Sequence, residues 1–369
     1  MEMLISHEWI ESTGGSENVF RGLLELFPGA DAACLWNNMP HTFDRPVSES
    51  WLARTPMRGR KAASLPLVPS AWRRMDVTRY DTVLASSHAF GHQLATHAVR
   101  RGKRGLAYVH TPARYLWAPE VEPRGDRASL RLAAAPLKAL DRRLVDPRVR
   151  YAANSRYVRD RIRRSWGVDA EVIYPPVDIE RIVSVERWGD VVSAEEAQHL
   201  SALPEKAFLL GASRLVSYKR LDRVIDLGNR LDMPVAIAGA GPGEAELRAH
   251  ADSARVPVTF LGRVTDEMLY ALYQRAALFV FLAVEDFGIM PVEAMAAGTP
   301  VLVNADGGAS ESMRAVGGGI PVHGSLSTPE LAVAAAKAMS IEMAAVPKAC
   351  RQFSRQAFGA RVEHWVTRS

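Results

Sequence analysis

Apolar residues along this chain fall into short runs of strand length, and most of those runs give way to a polar loop. Met3-Leu-Ile-Ser6, Ala32-Ala-Cys-Leu35, the stretch opening at Tyr80, Leu106-Ala-Tyr-Val109, Val149 to Ala153 and Ala170-Glu-Val-Ile-Tyr174 make a first set. Ala207 to Leu210, Val235 to Ala238, Val258 to Leu261, residues 277–283 and Val301 to Val303 make a second. Continuous apolar runs of this length suit strands of a parallel sheet covered on both faces. Helical spacing appears between them: over Val19 to Leu26, over a strongly basic helix from Arg156 to Trp166 capped by Asn154-Ser155, and near the end from Phe353 to Val366. Strand and helix alternate, which predicts an α/β protein of two Rossmann-like domains facing across a cleft. Pro175-Pro176 can neither extend a strand nor enter a helix interior, so the boundary is set there, with domains at 1–176 and 177–351. Residues 40–75 show little periodicity. Residues 183–205 are polar and read as a connector, with a helix around Ala194 to Leu203.

The most informative loop follows the run 277–283. It reads Glu285-Asp-Phe-Gly-Ile-Met-Pro-Val-Glu293, with Pro291 suited to a first helical turn and Gly298 to a helix end. The unit is strand, loop, short helix, strand, and its loop lies where open α/β sheets bind ligands. Backbone N–H groups of Gly288, Ile289 and Met290 before a helix N-terminus suit a diphosphate. Glu285 in the loop and Glu293, placed in the first helical turn, are carboxylates able to accept hydrogen bonds from sugar hydroxyls. Together they point to a nucleotide sugar. Asp286-Phe-Gly288 imitates a kinase tripeptide, but the other kinase signatures are missing.

Other loops supply complementary groups. Gly14 and Gly15, after His7-Glu8-Trp9 and Thr13, permit close ligand approach, and Ser16-Glu17 can cap the next helix. His110 falls at a strand end. Arg214 and Lys219 follow the first strand of the second set, placed to neutralise a diphosphate. Gly239-Ala-Gly241-Pro-Gly243 has Glu244 where a dinucleotide fingerprint needs glycine, so it reads as a tight turn near a nucleotide.

Composition narrows the class. The 369 residues are 48% hydrophobic and 24% charged, the proportions of a soluble globular protein, and no apolar run approaches the ~20 residues of a membrane span. The first residues are too few and too acidic for a signal peptide. Cys34 and Cys350 stand alone, which fits a cytoplasmic location and no structural zinc. The net charge of +5 is uneven: residues 1–175 hold 27 basic and 18 acidic residues, leaving 19 and 23 for the rest. A basic first half points either to an anionic partner or to arginines simply solvated over helix surfaces. Residues 127–145 form an amphipathic basic stretch broken by Pro136, suited either to an anionic membrane surface, here the inner face, or to packing on its own domain. Nucleic acid is set aside, because no helix-turn-helix, zinc or RNP-type signature occurs.

The ordered set Gly14-Gly15-Ser16-Glu17, His110-Thr-Pro-x-Arg114-Tyr115, Asn154-Ser155-Arg156, Pro175-Pro176-Val177-Asp178, Ser213-Arg214-Leu-Val-x-Tyr-Lys219-Arg220 and Glu285/Glu293 resembles the family 4 retaining glycosyltransferases of the GT-B fold. The resemblance spans nearly the whole chain and is nearest to bacterial mannosyltransferases of O-antigen-type polysaccharide assembly, which commonly use GDP-mannose. It implies Glu293 on the ribose, Arg214 and Lys219 on the diphosphate, Glu285 and the backbone of Phe287 to Met290 on the sugar, His110 approaching that sugar, and a C-terminal helix, about 352–369, packing back on the first domain. Gly15 would line the closed cleft. It further implies a nucleotide-sugar donor, a carbohydrate or lipid-linked acceptor, and no separate cofactor. No Asp-x-Asp occurs in the sequence, which fits metal-independent transfer. A UDP-sugar-dependent enzyme of the same fold and a non-catalytic nucleotide-sugar-binding protein are the alternatives.

Overall fold

The computed structural model describes residues 2–11, 14–119 and 128–368, with 128–133 described by backbone alone. Contacts divide the chain into two units, Met1–Pro176 with Arg355–Ser369, and Val177–Ser354. Thr13 and residue 127, both named above, lie outside the described residues.

In the first unit, strands β1 (Met3–Ile10), β2 (Asp31–Asn37), β3 (Val47–Glu49), β4 (Thr82–Ser87), β5 (Arg104–Val109), β6 (Arg150–Ala153) and β7 (Glu171–Val172) form one parallel sheet in the order β3-β2-β1-β4-β5-β6-β7. β1 is longer than its apolar run: His7, Glu8 and Trp9 belong to the strand and are buried in it. β7 is shorter than expected. Phe358, Val362, Trp365 and Val366 of the helix Arg355–Thr367 pack with Phe20, Leu23 and Ile5 in the core of this unit.

Two further expectations are corrected here. The helix after Gly14 starts at Gly15, with Gly14 as its N-cap and no side-chain cap; Ser16 donates its hydroxyl proton to Glu17 instead. The stretch at Pro136 is not broken, since one helix runs from Ala128 to Arg143. Its described half is fixed on its own unit. Ala134 and Leu137 pack on the core, Arg142 lies 4.9 Å and Lys138 5.3 Å over the Trp117 ring, and Asp141 accepts the indole N–H groups of Trp117 and Trp166.

In the second unit, β8 (Leu209–Ala212), β9 (Val235–Ala238), β10 (Val258–Gly262), β11 (Leu278–Phe281), β12 (Val301–Asn304) and β13 (Gly319–Val322) form a parallel sheet in the order β10-β9-β8-β11-β12-β13. Residues 183–205 are folded into this unit and are not a connector. Trp188 is buried edge-on against Tyr270, its backbone N–H donated to the Gln274 side-chain oxygen and its indole N–H to the Ile182 carbonyl, and the helix Ala194–Ser201 starts in a Ser193/Glu196 capping box. The apolar residues that anchor the segment, Trp188, Leu200 and Leu203, are few, and a composition scan dilutes them among charges. Among the described residues no helix is long and apolar enough to cross a membrane.

Candidate functional site

Strand order reverses direction between β1 and β4 in the first unit and between β8 and β11 in the second. In open α/β sheets the crevice beyond the strand ends at such a reversal is where ligands bind. The singled-out residues gather at these two places.

In the second unit, Lys219 and Glu285 are brought together. The lysine follows β8, the glutamate follows β11, and they form an ion pair with both side chains largely buried. The ammonium also lies 5.7 Å over the ring of Phe281. Glu285 thus neutralises the Lys219 cation. Arg214, in the same loop as Lys219, is exposed.

The Glu285 loop is shaped from behind by two glycines, Gly307 and Gly308. Gly308 N–H donates to the Glu285 carbonyl at 2.7 Å. A Cβ on Gly308 would lie 2.1 Å from the Asp286 carbonyl oxygen, and one on Gly307 2.6 Å from that of Glu285. This pair opens the helix Gly308–Val316, and the sequence signal for it was a doubled glycine after a strand. Gly288 has φ +81°, which disfavours any other residue, and caps the helix Ile289–Ala296. Phe287 turns inward, edge-on to Phe353, so this loop offers backbone there and not a ring.

Glu293 sits in the second turn of that helix, not the first, five residues past the cap. Its carboxyl is partly buried, 3.4 Å from the Tyr273 hydroxyl. Burial, then the charges of Asp266 and Asp178, push it up to about 7. Gly239 and Gly241 lie behind the Arg214 loop: Cβ atoms there would stand 1.9 Å from the Ser213 carbonyl oxygen and 2.3 Å from that of Leu215. Their place is to let two backbones touch, which fixes the loop bearing Arg214.

In the first unit, Gly14 and Gly15 open the helix Gly15–Leu26. His110 follows β5, nearly buried, with its ring 2.9 Å from the Ser86 hydroxyl through Nε2. Burial, reinforced by His7 and His88, lowers its pKa well below the ordinary value and keeps the ring neutral. Glu8, His7 and Ser86 were not singled out from the sequence as site residues. Glu8 is fully buried and accepts the backbone N–H groups of His88, Ala89 and Gly91 and the hydroxyl of Ser87, with the His88 ring nitrogen Nδ1 2.9 Å away as an ion-pair partner. His7, Glu8 and His88 form the one group at metal-ligand spacing among the described residues, their nearest ligand atoms within 4.8 Å. With both carboxylate oxygens already receiving this many donors, Glu8 acts as an anchor for the turn 87–91.

Comparison with known proteins settles the family. The family described as Glycosyltransferase Family 4 matches residues 13–181, and that described as Glycosyl transferases group 1 matches residues 193–358. The chain belongs to the family 4 glycosyltransferases of the GT-B fold. It is 30% identical over 230 residues to the GDP-mannose-dependent alpha-(1-6)-phosphatidylinositol monomannoside mannosyltransferase of Mycobacterium tuberculosis, covering 58% of this chain and 56% of that protein. It is 40% identical over 99 residues to the D-rhamnosyltransferase WbpZ of Pseudomonas aeruginosa, 26% of each chain. The chain thus spans about half or less of the length of these relatives. In fold it is similar to HepE of Anabaena, solved with UDP, with a TM-score of 0.73 over the full length of both chains at 17% identity. This member of the family therefore carries two parallel-sheet Rossmann-like units, each with a reversal of strand order.

Proposed function

We propose that this glycosyltransferase moves a hexose, mannose from GDP-mannose, to a hydroxyl of a carbohydrate or lipid-linked acceptor, with retention of the α-configuration and without a metal ion. The observation that carries the proposal is the Lys219–Glu285 pair at the reversal between β8 and β11, with Glu285 in the loop that leads into the N-terminus of the helix Ile289–Ala296. Breaking a glycosyl phosphate bond leaves negative charge on the diphosphate and positive charge on the anomeric carbon. Lys219, Arg214 and the helix-terminal N–H groups meet the first through fixed electrostatics. Glu285, released from Lys219 as the diphosphate takes that cation, orients the sugar hydroxyls. Glu293, ionised, accepts the two ribose hydroxyls. The leaving phosphate oxygen takes the acceptor proton, so no side chain is assigned as nucleophile. His110, in the first unit, is offered as a neutral hydrogen-bonding group to a substrate oxygen.

Calorimetric titration with GDP-mannose, UDP-glucose, UDP-N-acetylglucosamine and the free diphosphates, in chelator, tests this. Selective GDP-mannose binding, lost in Glu293→Ala and Arg214→Ala, is expected. Selective binding of a UDP-sugar would overturn the donor assignment, and binding that requires added magnesium or manganese would overturn the metal-free mechanism.

A further inference from the structure

Ser86 lies between two imidazoles. His7 of β1 and Ser86 of β4 are register partners, and Ser86 in turn pairs with Tyr108 of β5, two residues before His110. Alternation along strands puts His7, Ser86 and His110 on one face of three neighbouring strands. The Ser86 hydroxyl oxygen is 3.0 Å from His7 Nδ1 and 2.9 Å from His110 Nε2. A hydroxyl carries one proton, so Ser86 can donate to only one of these nitrogens, and the other ring must donate to it.

The direction is set at the far end of the chain of bonds. His7 is sealed from solvent, and its Nε2 has no hydrogen-bond partner among the described residues. A proton on that nitrogen would be an orphaned buried N–H, which folded proteins tolerate less than an unused acceptor. The His88 ring, 5.0 Å from His7 between centroids and held by Glu8, adds to this. Burial opposes charge on His88, but the Glu8 carboxylate outweighs it and favours the imidazolium, beside which a bare lone pair is preferred to a second proton. His7 therefore holds its proton on Nδ1 and donates it to Ser86. Ser86 donates to His110 Nε2, and His110 is left with its proton on Nδ1.

We propose that Ser86 and His7 are positioning residues that lock His110 as the Nδ1–H tautomer, so that the ring presents a hydrogen-bond donor to an oxygen of the sugar substrate. The use of that donor rests on the transferase function proposed above; the tautomer does not.

The test is a long-range proton–nitrogen correlation spectrum of the full chain labelled with nitrogen-15 histidine, without ligand at pH 8, with His110 assigned through His110→Gln. Protonated Nδ1 and bare Nε2 are expected for both His110 and His7. In Ser86→Ala the His110 signals should become those of a tautomer mixture, and Ser86→Thr should restore them. Donor turnover should fall roughly 5- to 10-fold in Ser86→Ala through kcat, with KM for the donor little changed, and recover in Ser86→Thr. A His110 proton on Nε2 in the unsubstituted protein overturns the proposal even if Ser86→Ala does not fold. A His110 spectrum unmoved by Ser86→Ala overturns it as well. The expected spectra with unchanged turnover would uphold the tautomer and remove His110 from the transfer reaction.

Discussion

Glu293→Gln should stabilise the protein and cost it its donor, and the two effects should follow the same ionisation. Burial and the nearby Asp266 and Asp178 raise this carboxyl from 4.5 to about 7. Between those two pH values the folded chain holds a proton that the unfolded chain has released. The sign follows directly: with more protons bound in the folded state, stability falls as pH rises through the interval, and the loss is complete above the folded value. At 1.36 kcal/mol per pH unit, the span from 4.5 to about 7 amounts to about 3 kcal/mol. Glutamine keeps the shape and removes the charge. Thermal unfolding at pH 8 should therefore show the variant more stable by about 3 kcal/mol, roughly 6–12 °C for a unit of this size, and the difference should close near pH 4.5. Donor binding should run the other way. If ribose hydroxyls bond to the ionised carboxylate, wild-type affinity falls about tenfold per pH unit below about 7. The variant should bind weakly throughout. A Glu293→Gln protein no more stable than wild type at pH 8, or one whose advantage is the same at pH 5, would refute the reasoning.

Three further outcomes are expected. Gly308→Ala forces a Cβ to within 2.1 Å of the Asp286 carbonyl oxygen, so donor affinity measured by calorimetry should fall more than about tenfold, with a stability loss of about 1–3 kcal/mol by urea unfolding. Lys219→Met removes the cation paired with Glu285 while keeping a stem to cover Phe281; kcat should fall about 10²–10³-fold in a donor-hydrolysis or transfer assay, with little change in circular dichroism. Asp141→Ala leaves the Trp117 and Trp166 indole N–H groups without their acceptor. Unfolding followed by tryptophan fluorescence should show a loss of roughly 2–4 kcal/mol.

The two sheets were legible because parallel strands buried on both faces are written as unbroken apolar runs, and Val235–Ala238 was placed to the residue. Where a strand carries polar groups the signal fails. His7 and Glu8 look like loop because alternation says nothing of a buried hydrogen-bond network, yet both lie within β1. Pro136 looks like a break because its cost is local, whereas the tryptophan pair on Asp141 and the core contacts of Ala134 and Leu137 that hold the helix come from far along the chain. At the site, the Glu285 and Lys219 types and loops were legible from spacing. Their direct pairing was not, since it is made by strands β8 and β11 lying side by side although sequence-distant. The roles of Gly307, Gly308, Gly239 and Gly241 depend on which backbone passes behind them, a property of the folded chain alone.

The first unit is closed by the last helix of the chain, and this gives synthesis an order of events. When residues 1–176 have emerged from the ribosome, Phe20 and Leu23 still lack Phe358, Val362, Trp365 and Val366, and Arg104 lacks the carbonyl of Val366. All of residues 177–354 must be made first, which at about 5–20 residues per second is on the order of 10–40 s. For that time an apolar trough on the nascent first unit stays uncovered while the second unit, continuous in sequence, is free to fold. The second unit is thus the first to be complete, and the amino-terminal half of the protein is finished last.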